Sequence, residues 1–596
     1  MPDGKSILFI AKRGEHRQIF QLPLNGGEAH PFEIKAVPPV DTSKAANAVP
    51  PKPAEAHSSS EAPAPVELNI SSFDISPDGK ALAILAADPQ TAGEQAQSSA
   101  KSDASWVDHD PHGTRLYLFS PDTGKTTPIA VPANAGGVNW STDSARLFVT
   151  QSPVDGSEDL DYATTSWIVE ASTGSVQRIA ELPRDLFGSE WSSDGKGIWY
   201  FAQAKRDAPP FYGDLYRFDL ASKKTQNYTD GFGGSLTGGM ISLPDGGILA
   251  NAGFGFSTEL LKFAAGNTAP ERVKFATPVV NSLATNNNRT AWVYVGSGST
   301  QPPALYFTHS LAQPAKVLNT PSLFPSDLKT VASKTIRWKS DQFTIEGVLY
   351  LPAEAALHKV PLIVEVHGGP TGAFLDSYQP FANFLVGHGW AVLRTNPRGS
   401  TNYGAAFVAA NKNDLGGGDY RDIMAGVDYV IKNEPIDGDR MALEGYSYGG
   451  EMAGFVEVKT SRFKAIVSGA PVIDQFSEYG TENGSQYDRW FYGKPWEHFT
   501  DAWRQSPIAG VKHAKTPFML LQGQEDTTDP LGQSQEMYRA LRQMGVPVEL
   551  ITYPRDDHGV LGGAIYGSPS REPWHGFDAR QRIVEFIEKA FGQVKS

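Results

Sequence analysis

Glu444-Gly445-Tyr446-Ser447-Tyr448-Gly449-Gly450 is the stretch whose reading decides the fold. It follows an apolar run, Met441-Ala442-Leu443, and precedes a segment of helical character, Glu451 to Val458. Strand, Gly-x-Ser-x-Gly, helix is the setting of a nucleophile elbow, where a sharp turn lifts a serine hydroxyl above a sheet. The positions two before and two after the serine tolerate almost no side chain, and Gly445 and Gly449 occupy them. A chain with 59 glycines could also produce this pattern by chance. The rest of the sequence therefore has to supply a base, an acid and an oxyanion hole.

Outward from the elbow, short apolar runs alternate with helix-like segments. They are Leu362–Val366, Ala391–Leu393, Ala465–Val467, Phe518–Leu521 and Val548–Ile551. This alternation predicts a mostly parallel, doubly wound sheet with functional groups at strand ends. Val366 runs into His367-Gly368-Gly369-Pro370, a Gly-rich turn of the kind that donates a backbone N–H to an oxyanion. The N–H groups of Gly369 and Tyr448 would form a two-donor hole. For the acid, Leu521 opens into Gln522-Gly523-Gln524-Glu525-Asp526-Thr527-Thr528-Asp529, where Asp526 is preferred and Glu525 and Asp529 are rivals. For the base, Arg555-Asp556-Asp557-His558-Gly559 follows a strand, with His575 as the rival to His558. The order Ser447, Asp526, His558 is the one α/β-hydrolases use. In this reading neutral His558 takes the proton of Ser447, Asp526 holds the imidazole, and water later releases an acyl-enzyme.

The first half carries a recurrent phrase, a Pro-Asp-Gly type turn before an apolar strand. It appears around Asp3, Asp78, Asp143, Asp194, Asp245 and, degraded, Asn287. Pro presets the turn and Gly supplies positive φ. About four short strands per repeat is the signature of a β-propeller blade. Six copies are visible and the chain starts in mid-phrase, so the expectation is an incomplete first blade, with a six-bladed ring as the alternative. The Pro/Ala/Ser-rich segment 37–66 reads as a disordered or extended surface insertion. Asp108-His109-Asp110-Pro111-His112 reads as a solvated loop rather than a metal site, and Gly231-Phe232-Gly233-Gly234 as a turn. The expected division is a propeller over residues 1–328 and an α/β-hydrolase domain over 329–596.

Bulk properties narrow the function. The 596 residues exceed what one core usually serves, and the net charge of -14 argues against a nucleic-acid surface. There is no cysteine, which excludes disulfides, thiolate nucleophiles and Cys-ligated zinc. No apolar run approaches a membrane span, and no signal-peptide pattern follows Met1. The sequence as it stands reads as cytoplasmic, or periplasmic if a signal has been removed. Neither cofactor nor metal is expected.

These motifs resemble the prolyl oligopeptidase family of serine peptidases, in its acylaminoacyl-peptidase and dipeptidyl-peptidase-like branch. The carrying residues are His367–Pro370, Asn396-Pro397-Arg398-Gly399-Ser400-Thr401-Asn402-Tyr403-Gly404, Gly416–Tyr429, the elbow, Ser468–Asp474, Ser477–Gly480, Gly493–Glu497 and Ser506–Ile508. The resemblance implies a propeller of about seven blades capping an α/β-hydrolase, with the active site between them. It implies oligopeptide substrates, with no nucleic-acid or membrane partner; a homo-oligomer is compatible with it. Family members usually carry more chain before the first blade, so this one reads as truncated. Glu451 departs from the aromatic or apolar residue that often follows the double Gly. The Gly-rich stretch 560–570 separates His558 from Arg571–His575.

Val472, Ile473, Phe476, Trp490 and Phe491 are candidates for an apolar substrate pocket and equally for ordinary core. Glu158, Asp159 or Glu190 could hold a free substrate N-terminus. The leading reading is a serine peptidase acting on short peptides, of acylaminoacyl-peptidase or oligopeptidase type. A carboxylesterase with the same triad, a dipeptidyl peptidase and an inactive propeller scaffold are the alternatives.

Overall fold

The computed structural model describes residues 1–593 except 15, 38–64, 91, 103, 105–111, 153–163, 204–207, 211, 319–328 and 561–571. The loop around His109, Glu158 and Asp159, most of the 37–66 insertion and most of the 560–570 stretch thus lie outside the described residues. So does the segment 319–328 that precedes the expected domain boundary.

Among the described residues between Ser6 and Val317 the chain forms six larger antiparallel sheets in sequence order, five of four strands and the first of three, besides a two-stranded pairing of Lys35–Ala36 with Val66–Glu67. The repeated aspartate explains the recurrence. Asp3, Asp78, Asp143, Asp194 and Asp245 each accept a hydrogen bond from the backbone N–H two residues on, at 2.9–3.1 Å. The residue between has positive φ: Gly4, Gly79, Ser144, Gly195 and Gly246. In the last copy Arg289 holds that conformation, and Asn286 accepts from Thr290 and Ala291. The pattern there is thus centred on Asn288 rather than Asn287. Each such turn leads into the second strand of its sheet. The turn at Asp3 therefore leads into a sheet that matches strands two to four of the others, and six sheets stand where about seven were expected. Adjacent sheets bury their faces on each other; Leu85 and Leu116, for example, pack with Leu147, Val149 and Val169 of the next.

From Ser333 onward a single eight-stranded sheet dominates. Its strands are β1 (Ser333–Ser340), β2 (Phe343–Tyr350), β3 (Val360–Val366), β4 (Ala391–Asn396), β5 (Ile436–Tyr446), β6 (Ala465–Gly469), β7 (Phe518–Gly523) and β8 (Val548–Tyr553). They lie in the order 1-2-4-3-5-6-7-8, antiparallel at β1–β2 and β2–β4 and parallel elsewhere. Neighbouring residues alternate between two cores. Leu362 and Val364 pack on the side of helices Gly418–Asn433 and Tyr448–Lys459, and Ile363 on the side of Pro380–Gly387 and Pro573–Ala590. That double burial is why the strands read as continuous apolar runs.

The two halves are joined at Asn402. Its backbone N–H donates to Ser235 Oγ at 2.8 Å, its side-chain amide donates to the Gly255 carbonyl at 3.0 Å, and its carbonyl accepts from the Gly255 N–H at 3.1 Å. Asp376 and Tyr378 make further backbone contacts, to Phe256 and Ser297. Among the described residues no helix is long and apolar enough to cross a membrane.

Candidate active site

Strand β5 ends at Tyr446 and helix Tyr448–Lys459 begins one residue later, so Ser447 makes the whole turn. It does so at φ 60° and ψ −125°, a conformation costly for a residue with a Cβ. The Ser447 N–H is anchored on the Gly469 carbonyl at 2.9 Å. The flanking glycines are required sterically. A Cβ on Gly445 would strike the Gly449 carbonyl, and one on Gly449 the Val366 carbonyl.

The loop after β7 carries Asp526, whose side chain is fully buried. One oxygen accepts from the Thr528 and Asp529 N–H groups at 3.0 Å each. The other accepts from Gln522 at 3.0 Å and meets His558 Nδ1 at 2.8 Å. The carboxylate is thus held by four donors and the imidazole is aimed by it. Of the rivals, Glu525 is exposed, and Asp529 lies on the opposite side of the ring, 3.9 Å from His558 Nε2, where the Ser447 hydroxyl also faces it. Burial alone would lower the His558 pKa; the charges of Asp529 and Asp526 more than offset it, and the pKa is raised. Burial pushes Asp529 up to about 7. His575 belongs elsewhere, bonded to Asp556 at 2.6 Å at the start of the last helix.

Ser447, Tyr448, Gly369 and His558 line one cavity of about 640 Å³. The Tyr448 N–H lies in the first helical turn and has no intrahelical acceptor. The turn bearing Gly369 is pinned by His367, whose ring bonds the Gly368 carbonyl at 2.7 Å and the Ser400 hydroxyl at 2.9 Å. Burial lowers the His367 pKa to about 4, so this ring is neutral. The Tyr448 hydroxyl donates to buried Asp419 at 2.7 Å, which fixes the residue beside Ser447. Arg398 forks onto Asp422 at 2.6 and 2.9 Å and reaches Asp341 at 2.8 Å. The Asn396–Gly404 and Gly416–Tyr429 motifs are thereby explained as scaffold behind the elbow.

The propeller closes the cavity with Thr164, Asp185, Leu186, Phe187, Gln203 and Pro210. Of the apolar candidates, Val472 and Phe491 line it. Ile473 is fully buried in the core, Phe476 is exposed against Phe499, and Trp490 is half-buried beside Lys412. The lining is instead rich in carboxyl groups: Glu451, Glu478, Glu482, Asp488 and Asp529. Glu190 is not in this lining and lies near Ser242 and Arg289. Sequence reasoning noted Glu451 as a departure but missed Glu478 and Glu482. Their signal was acidic residues interleaved with aromatics, Phe476, Tyr479, Tyr487 and Trp490, in one stretch that contributes to the cavity wall.

A family model described as the prolyl oligopeptidase family matches residues 377–593. The uncharacterized peptidase YuxL of Bacillus subtilis is 30% identical over 295 residues, which are 45% of this chain and 44% of that protein. The matched stretch thus spans less than half of that relative's length. Dipeptidyl-peptidase 5 of Aspergillus oryzae is 25% identical over 548 residues, 88% of this chain and 65% of that one. The solved acylaminoacyl peptidase of Pyrococcus horikoshii shares the fold with a TM-score of 0.79, over 98% of this chain and 87% of that one, at 19% identity. Residues 377–593, which carry Ser447, Asp526 and His558, are thus similar to the prolyl oligopeptidase family.

Proposed function

We propose that this protein is a serine peptidase that hydrolyses short peptides, of acylaminoacyl-peptidase or oligopeptidase type. The observation that carries the reading is the 2.8 Å pairing of His558 with buried Asp526, in one cavity with the strained Ser447. In this mechanism Ser447 attacks the carbonyl and neutral His558 takes its proton. Asp526 fixes the tautomer and stabilises the imidazolium. The Gly369 and Tyr448 N–H groups receive the oxyanion, an interaction typically worth about 2.7–4 kcal/mol per donor. His558 then protonates the leaving amine, and water repeats the sequence on the acyl-enzyme.

The propeller, taken as residues 1–328, acts as a lid on the catalytic part, 329–596, and admits flexible chains rather than folded proteins. Propeller side chains in the cavity wall support this. A dipeptidyl-peptidase activity is the second reading, because the lining carboxyl groups could hold a substrate amine. A chain without cysteine suits the cytoplasm and equally the periplasm.

A fluorophosphonate probe should label the wild type and not Ser447→Ala, and the variant should lose hydrolysis of acylated and internally quenched peptides. Labelling at another residue, or cleavage of esters with no cleavage of any peptide, would remove the peptidase reading.

A further inference from the structure

The wall of the cavity beside Ser447 is unusual in charge. Glu451, Glu478, Glu482 and Asp488 converge there with Asp529, and Asp185 faces them from the propeller. Lys and Arg are absent from the described lining, and His558 is its one basic side chain. Glu451 accepts a bond from Gln475 at 2.8 Å, and Glu482 and Asp488 bond each other. Glu478 is different. It is 0% exposed, and neither carboxyl oxygen has a hydrogen-bond partner. A buried carboxyl without a donor is costly, and a specificity pocket for an apolar residue would gain by losing it.

We propose that this cavity is a cation subsite for a side chain, which takes the charged end of a substrate lysine or arginine beside the scissile bond. The proposal rests on the peptidase reading for its placement next to the reacting carbonyl. An ammonium brings three N–H donors and a guanidinium five, which matches the unfilled acceptors of Glu478 and Asp529. Such bonds are charge-assisted and form out of water, where they are strongest. Val472, Leu415 and Phe491 supply apolar surface for an aliphatic stem. Burial holds the carboxyl groups above their ordinary range, so an entering cation would displace protons from them.

The test compares kcat/KM for acetyl-lysyl, acetyl-norleucyl and unblocked norleucyl coumarylamides. The acetyl-lysyl compound should exceed both norleucyl compounds by about tenfold or more. Equal rates, or preference for either norleucyl compound, overturn the proposal. The near-isosteric Glu478→Gln should bring the favoured ratio down by about tenfold. Absence of turnover with all three would instead count against the peptidase reading. The cation subsite is then read without turnover: n-butylammonium, and not n-butanol, should raise the Tm of the wild type. An equal response to the two compounds refutes it.

Discussion

Ser447 reaches the cavity through a backbone conformation that few residues with a Cβ adopt, and Asp526 is completely buried under four donors. In the proposed mechanism Asp526 acts through orientation, so Asp526→Asn should leave the fold intact and lower kcat by about four orders of magnitude; Michaelis kinetics beside the variant's Tm would show the split. The raised pKa of His558 has a direct sign. The base is neutral only above that pKa, so the acid limb of kcat/KM should lie above the ordinary histidine value of 6.5. Asp529, pushed up to about 7, titrates in the same region, and the two give joint macroscopic values. Asp529→Asn removes a charge that raises His558 and should move the limb to lower pH. A limb unmoved in the variant's pH profile would mean that Asp529 is uncoupled from the base. At this scale the sequence was explicit about Ser447, Asp526 and His558, since each sits where a strand of the alternating pattern ends. It offered Asp529 only as a rival to Asp526, because the loop that sends Asp526 under the imidazole also turns Asp529 over it, and only three dimensions show that both meet the ring.

Elements were legible where one residue type solves one local problem. The aspartate of each propeller turn accepts a bond two residues on and the next residue takes positive φ, so strand beginnings could be read from Pro-Asp-Gly. The last copy replaced both residues, and its centre was misplaced by one. The apolar pocket was less legible, since Val472, Ile473, Phe476, Trp490 and Phe491 share a composition and only two face the cavity. Helix phase and the fold-over of Gln475–Thr481 decide which. The scaffold motifs make a sharper prediction. Asp422 is fully buried, bonded to the Arg398 side chain and its N–H. Asp422→Ala leaves a buried guanidinium with its main partner gone and should destabilise by about 3–5 kcal/mol, measurable by denaturant unfolding of the catalytic part.

At the scale of the molecule, the carboxyl-lined cavity sets how stability depends on pH. Burial raises Glu451, Glu478, Glu482, Asp488 and Asp529, with Asp488 at about 6, Asp529 at about 7 and Glu482 at about 10. A raised carboxyl contributes stability that is present below its unfolded pKa and is lost as pH climbs through the folded value. The Tm should therefore fall from roughly pH 6 to roughly pH 9, and a thermal melt series in which it rises would contradict this account. The two-part plan was legible because the repeat array and the strand–helix alternation use different periods; the seam between them was not, because one asparagine makes much of it. Asn402 is clasped by Ser235 and Gly255 of the propeller, while two residues earlier Ser400 grips His367, and Thr401 donates to Gly372 at 2.9 Å. In the proposed mechanism, lid and oxyanion turn are therefore opposite ends of one short lever, with residues 400–402 as its arm. A propeller that tilts would then pull on the turn proposed to receive the oxyanion. Asn402→Ala should then depress kcat although residue 402 is outside the cavity lining, and hydrogen exchange should quicken at 367–372 as well as at the seam.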